Sequence, residues 1–239
     1  MDYLNVYIFK ILPINLLELL AAIAGSYYLK KNPNTQKANK YLVYFLWYTF
    51  IHEVIGSYAP IAYFSEYKYF SFVKGTFFYD NAWLYNIYTV IYFSFFINYF
   101  TSFIKNEKIN KVFKLLTVIY IVISLIILIT SDLSFNSNSP FLPVVGTILL
   151  LVAIIYYYFS LLKSDELLDL KKQLPVYISI GVLVFNLCIT PVDIFSLYFK
   201  RVNELYVAIR TNLLLITNIF MYTTFIIGFL VCAKKEEKI

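Results

Sequence analysis

Apolar residues in this chain gather into seven stretches separated by short polar connections, over roughly 8–29, 41–64, 82–104, 112–130, 141–162, 175–199 and 212–233. A helix of about 20 such residues crosses a hydrocarbon core about 30 Å thick, whereas buried strands of soluble proteins are far shorter. The pattern predicts an all-α integral membrane protein, a seven-transmembrane-helix bundle. No connection or end is long enough for a soluble domain, so residues 1–239 are expected to form one membrane domain. Ala22-Ile23-Ala24 before Gly25 resembles a signal-peptide cleavage site. Asp2, a single early cation at Lys10, and the interruptions Asn15 and Glu18 argue instead for a retained span.

Loop charge gives an orientation. Of 20 lysines and arginines, 14 follow the odd-numbered stretches: Lys30, Lys31, Lys37, Lys40; Lys105, Lys108, Lys111, Lys114; Lys163, Lys171, Lys172; and Lys234, Lys235, Lys238. The other six are Lys10, Lys68, Lys74, Lys200, Arg201 and Arg210. The positive-inside rule then places the N-terminus outside and the C-terminus in the cytoplasm, in a cytoplasmic (inner) membrane. The net charge of +6 is thereby read as topology, so the lipid bilayer is an expected partner and nucleic acid is not. Composition agrees: 61% of residues are apolar, 21% aromatic and only 14% charged, against about 25% charged in soluble domains. A soluble enzyme is excluded.

Two further patterns concern organisation. The long connection 65–81, rich in aromatic and β-branched residues around Lys74-Gly75, suggests a short hairpin or an interfacial aromatic flap. A 3+1+3 internal repeat is suggested by Pro13 with Tyr27-Tyr28, which recurs 130 positions later as Pro143 with Tyr157-Tyr158. Ala59-Pro60 likewise echoes Thr190-Pro191, and Asn86-Ile87-Tyr88 echoes Asn218-Ile219-Phe220.

An ionisable residue at the bilayer centre costs at least about 2.5–3.5 kcal/mol on insertion scales and so demands a partner or a purpose. Glu18, His52, Glu53 and Asp193 fall inside predicted spans. In the first span Asn15, Glu18, Ala22 and Gly25 follow steps of three, four and three, and so share one face. Thr49, Glu53, Gly56 and Pro60 repeat this in the second, with His52 turned about 100° away. Asn186, Thr190 and Asp193 do so in the sixth. The expected ligand or ion pocket therefore comprises Asn15, Glu18, His52, Glu53, Asn86, Asn186, Asp193, Arg210 and Asn218, with Arg210 as counter-ion to Asp193 and with Glu18 and Glu53 at matching depth. The bland reading is that such residues are hydrogen-bonded glue between helices.

Several chemistries drop out. The last span contains no lysine for a retinal Schiff base. One histidine cannot build a metal centre, and Cys188 and Cys232 lack metal or disulfide spacing, so no metal or cofactor is expected. No glycine-framed serine suggests an intramembrane protease. The chain is not expected to be an enzyme. Pro13, Pro60, Pro143 and Pro191 with Asn86 and Asn218 superficially resemble the proline and asparagine positions of small sugar transporters of the SWEET and PQ-loop kind. The prolines here lie toward the outer ends and no Pro-Gln pair occurs, so membership is not assigned.

Polar residues cluster in the outer half, and the fourth span offers little beyond Lys114, Thr117 and Ser124. The expectation is a receptor-like sensor with an outward-facing pocket for a small ligand or cation. Its output would pass through a cytoplasmic protein partner or a homo-oligomer. The alternatives are a small transporter or ion-conducting channel using the buried carboxylates, and a membrane-permeabilising effector.

Overall fold

The computed structural model of the chain describes residues 3–130, 139, 141–195 and 204–233. Among them there is no strand. The helices are α1 (Tyr3–Lys31), α2 (Lys37–Gly56), α3 (Tyr58–Phe64), α4 (Ala82–Thr101), α5 (Glu107–Thr130), α6 (Phe141–Leu162), α7 (Leu174–Phe195) and α8 (Glu204–Ala233). Short 3-10 segments lie at Ser71–Val73, Phe77–Tyr79 and Asp165–Lys172. Each of the seven apolar stretches coincides with a long helix, α3 continuing α2. Positions 196–199 of the sixth stretch, Lys200, Arg201 and the tail lysines Lys234, Lys235 and Lys238 lie outside the described residues.

Side-chain contacts fix the direction of each long helix. Asn32 Nδ2 donates to the Cys232 carbonyl at 3.4 Å, so α1 and α8 finish at the same end. The Tyr99 hydroxyl donates to Asn39 Oδ1 at 3.1 Å, joining the end of α4 to the start of α2. The Tyr120 hydroxyl reaches the Leu142 carbonyl at 3.1 Å, and the Tyr158 and Ser179 hydroxyls meet at 2.6 Å. These contacts make the seven long helices alternate in direction along the chain. The end where α1 begins is called the upper end below, and the other the lower.

Five helices are long and apolar enough to cross a membrane, at Tyr7–Lys31, Glu107–Thr130, Phe141–Leu162, Leu174–Phe195 and Leu205–Ala233, consistent with an integral membrane protein. The helices outside that set, α2 and α4, are broken up by tyrosines, asparagines, His52 and Glu53. Half of the 20 residues of α4 are buried, so protein covers its polar positions and an apolar exterior is not required of it. The peripheral α5 is the converse. Its buried residues Phe113, Thr117, Tyr120 and Ser124 form one stripe at steps of four, three and four, three of them polar. Its exposed residues include Val112, Leu115, Val118, Val122, Ile126 and Ile129. A helix more apolar outside than inside suits hydrocarbon surroundings.

The helices approach one another through small residues and interlocking rings. A Cβ on Gly146 would lie 2.4 Å from the Phe93 ring, and one on Gly181 2.4 Å from Thr224 Oγ1 and 3.1 Å from the Met221 carbonyl. Phe45 stacks on Phe95 at 4.1 Å, and Phe96, Phe100, Phe225 and Phe229 are essentially sealed from solvent.

Two local features shape the upper end. Proline has no N–H, so Pro60 leaves the Gly56 carbonyl without its helical donor. Asn81 Nδ2 supplies the missing bond at 2.7 Å, and α2 runs on into α3 through Ser57, which keeps helical dihedrals and its bonds to Glu53 and Ile61. The expected stretch 41–64 is covered by α2 and α3 in succession, with one backbone bond replaced by a side chain. The connection 65–81 does not form a hairpin. Glu66, Tyr67 and Phe70 adopt positive φ of 52°, 61° and 57°, which is incompatible with a strand. The result is a folded flap that exposes Phe72 and Phe77 while burying Val73.

Candidate functional site

The upper half of the bundle holds a pair of carboxylates on neighbouring helices. Glu18 on α1 is only 3% exposed, and it lies within Coulombic reach of Glu53 on α2, which is partly buried. Their meeting follows from local sequence. Ala21 and Ala22, both fully buried, let α1 pack closely, and a Cβ on Gly25 would stand 2.8 Å from Val43 of α2. The Glu53 carboxylate accepts from the Tyr85 hydroxyl of α4 at 2.8 Å, and Glu18 is hydrogen-bonded to Tyr222 of α8. Gly56 makes room for this, since a Cβ there would sit 2.9 Å from the Tyr85 hydroxyl.

Tyrosines enclose the pair. The Tyr88 hydroxyl is 3.0 Å from Thr49 Oγ1, and Tyr7 is hydrogen-bonded to Ser57. His52 points to α4 instead. Its ring stacks on Tyr88 at 4.5 Å, Nε2 lies 3.3 Å from the Leu84 carbonyl, and Nδ1 is buried with no partner. Two acceptors of the α1 face are also buried without a hydrogen-bond donor: Glu18 Oε2 and, one turn above it, Asn15 Oδ1.

The remaining expected residues do not join this pair. Asn186 on α7 forms a second polar group with α4 and α6, donating to the Tyr92 hydroxyl at 3.0 Å and to the Val182 carbonyl at 2.8 Å. Thr147 lies 3.5 Å from Asn186 Oδ1 and 2.9 Å from Thr190 Oγ1. Asp193 is 3.5 Å from Arg210, with both side chains partly exposed near the upper end. Asn86 Oδ1 accepts from the Ser139 amide at 3.0 Å, and Asn218 donates to Leu214 of its own helix at 2.8 Å. The single cavity expected from sequence is thus divided. Each polar stripe faces inward, but α1 and α7 do not face each other.

The site residues not read from sequence are Tyr85, Tyr88 and Tyr222. Among 24 tyrosines none stands out, although buried carboxylates without basic partners imply nearby hydroxyl donors. Among the described residues no group of three or more His, Cys, Asp or Glu could hold a metal ion.

Below the site the contacts change character. From Thr49 to Asn39, about 15 Å along α2 at 1.5 Å per residue, the interior is mainly Phe45, Leu46, Leu42, Phe96, Phe225 and Phe229, with the Tyr92 hydroxyl turned to Asn186 and Trp47 Nε1 donating to Ser26 Oγ as the polar contacts. Polar groups return at the lower end, where the Tyr28 hydroxyl meets Thr35 Oγ1 at 2.7 Å and Asn39 Nδ2 donates to Thr35 Oγ1 at 3.1 Å. Compared with known protein families, curated proteins and solved structures, the chain matches none of them.

Proposed function

We propose that the chain is a receptor-like membrane sensor whose seven long helices all span the bilayer as one domain, with the upper end outside and the C-terminus in the cytoplasm. It recognises a small ligand or cation at the Glu18–Glu53 pair and passes the change to a cytoplasmic partner or a second copy of itself. The observation that carries this reading is the buried carboxylates standing above a layer along α2 that is packed mainly by apolar and aromatic side chains. A group that binds but does not conduct needs such a layer, because an ion crossing about 15 Å of mainly hydrocarbon-like packing meets little to replace its water.

A second reading, a small carrier, is favoured by one feature of the packing. Exchanging α1, α2 and α4 for α6, α7 and α8 maps the extensive α1–α8 interface onto the extensive α6–α4 interface, with α5 as the odd helix, although α7 packs far more closely on α8 than α2 does on α4. Parallel repeats of this kind occur in transporters, which place substrate between the halves.

Flux separates the two readings. Protein reconstituted in liposomes under an imposed membrane potential is expected to take up no sodium, potassium or protons above protein-free vesicles. Uptake that disappears in Glu53→Gln would replace the sensor by the carrier. Orientation is tested separately: a reporter fused after Ile239 should be cytoplasmic, and a tag at Gly75 should be reachable from outside.

A further inference from the structure

The buried surface around Glu18 has an excess of hydrogen-bond acceptors. Glu18 uses one carboxylate oxygen for Tyr222, while its Oε2 is buried and unpartnered in a side chain 97% shielded from solvent. Asn15 Oδ1, one turn above on the same face of α1, is buried and unpartnered as well. The Glu53 carboxylate of α2 is near enough to act electrostatically on Glu18. Of the nearby hydroxyls, Tyr85 donates to Glu53, and Tyr88 and Tyr7 are hydrogen-bonded to Thr49 and Ser57. No lysine or arginine is among the groups acting on either carboxylate.

Orphaned buried acceptors cost free energy, and a surplus of acceptors beside two carboxylates calls for a ligand that is cationic and carries donors. The count of oxygens narrows the class. Calcium takes six to eight oxygens and magnesium an octahedral set, whereas Glu18 Oε2, Asn15 Oδ1 and the Glu53 carboxylate offer about three positions. Three acceptors match the three N–H donors of a primary ammonium group.

We propose that Asn15, Glu18 and Glu53 form a binding site for the ammonium group of a small primary amine. This rests on the reading of the Glu18–Glu53 pair as a ligand site and names the chemistry of its ligand.

The probe is methylammonium, with sodium, calcium and tetramethylammonium at equal ionic strength as comparisons, and the readout is thermal unfolding of the full chain in nanodiscs. A ligand that binds only the folded state raises the midpoint in a saturable way. For so small a probe, saturation falls in the millimolar range. Methylammonium should stabilise and tetramethylammonium, which has no N–H, should not. Glu18→Gln should weaken the apparent affinity at least about tenfold, the worth of one charge-assisted hydrogen bond. Asn15→Ala should weaken it less, and its midpoint without ligand serves if Glu18→Gln does not fold. The proposal is overturned if methylammonium gives no saturable shift, if sodium or calcium shifts the midpoint as much, or if Glu18→Gln and Asn15→Ala bind like the unaltered protein. Binding together with flux would remove the sensor and keep this site, and absence of both would remove this site and keep the sensor.

Discussion

Two of the bundle's polar clusters, one toward each end, differ in how their hydrogen bonds close. At the lower end Tyr28, Thr35, Asn39 and Tyr99 form a ring without charge: Asn39 donates to the hydroxyls of Tyr28 and Thr35 and accepts from Tyr99. Asn32 ties it to α8 through the Cys232 carbonyl. Toward the upper end Glu18, Glu53, Asn15 and their tyrosines leave two acceptors open and bring two carboxyl groups within electrostatic reach of each other. A closed ring of neutral groups rigidifies the ends of α1, α2, α4 and α8, as buried networks do when every member is satisfied. An open one is costly to the free protein and is kept where something else completes it. Polarity inside a membrane bundle is therefore a poor guide to function on its own, and the balance of donors and acceptors is the better one.

Breaking the lower ring should have the largest effect. Asn39→Leu removes the acceptor of Tyr99 and the donor to Tyr28 and Thr35, and leaves the buried Tyr99 hydroxyl unpaired while Tyr28 and Thr35 keep each other, so a loss of roughly 2–4 kcal/mol is expected. The unfolding midpoint in detergent measures it. A change below about 0.5 kcal/mol would mean that the ring is not structural, and the contrast between the clusters would fail.

Gly56→Ala comes next, because it couples packing to the upper site. Its Cβ would meet the Tyr85 hydroxyl at 2.9 Å and the ring at 3.2 Å. The tyrosine tip must move away from Glu53, at a cost of about 1–2 kcal/mol for overpacking plus the lost bond. Restoration of stability in the Gly56→Ala, Tyr85→Phe double variant would show that the hydroxyl is what clashes. No restoration would place the clash elsewhere.

Much of the architecture was legible because spacing and length carry it. Apolar stretches of membrane-crossing length became α1, α2 with α3, and α4 to α8, and the step pattern of Asn15, Glu18 and Ala22 put them on one face of α1. What remained hidden depends on which helix stands beside which. Asn186 has the same local pattern as Glu18, yet it faces Tyr92 and Thr147, because the azimuth of α7 is set by Gly181 packing against Thr224 and Met221 of α8. The bond exchange at Gly56 was hidden for another reason. Pro60 announces a lost hydrogen bond, but only the fold shows Asn81 arriving to replace it.

Glu53→Gln should change stability little and in the opposite direction from Asn39→Leu. The amide oxygen still accepts from Tyr85, and a neutral amide avoids the cost of burying a carboxylate that has no lysine or arginine acting on it. An increase of about 0–1 kcal/mol is expected, as is common when a functional group is neutralised. A loss above about 2 kcal/mol would identify the carboxylate as glue between α2 and α4 and would dissolve the distinction between the clusters.

The smallest effect belongs to a third polar pair, which serves as the reference for the other two. Arg210 and Asp193 are 3.5 Å apart with side chains 35% and 20% exposed, near the ends of α8 and α7. Water and salt reach such a pair, so its attraction is screened and its ordering cost offsets most of the gain. Arg210→Gln is therefore expected to lower stability by no more than about 1 kcal/mol, and the difference should shrink further in 1 M salt. Methylammonium affinity should be unchanged, because none of Asn15, Glu18 or Glu53 draws on Arg210. If Arg210→Gln weakens that affinity as much as Glu18→Gln does, Asp193 belongs electrostatically to the upper site after all. The single outer cavity expected from the sequence would then describe the protein better than the divided one.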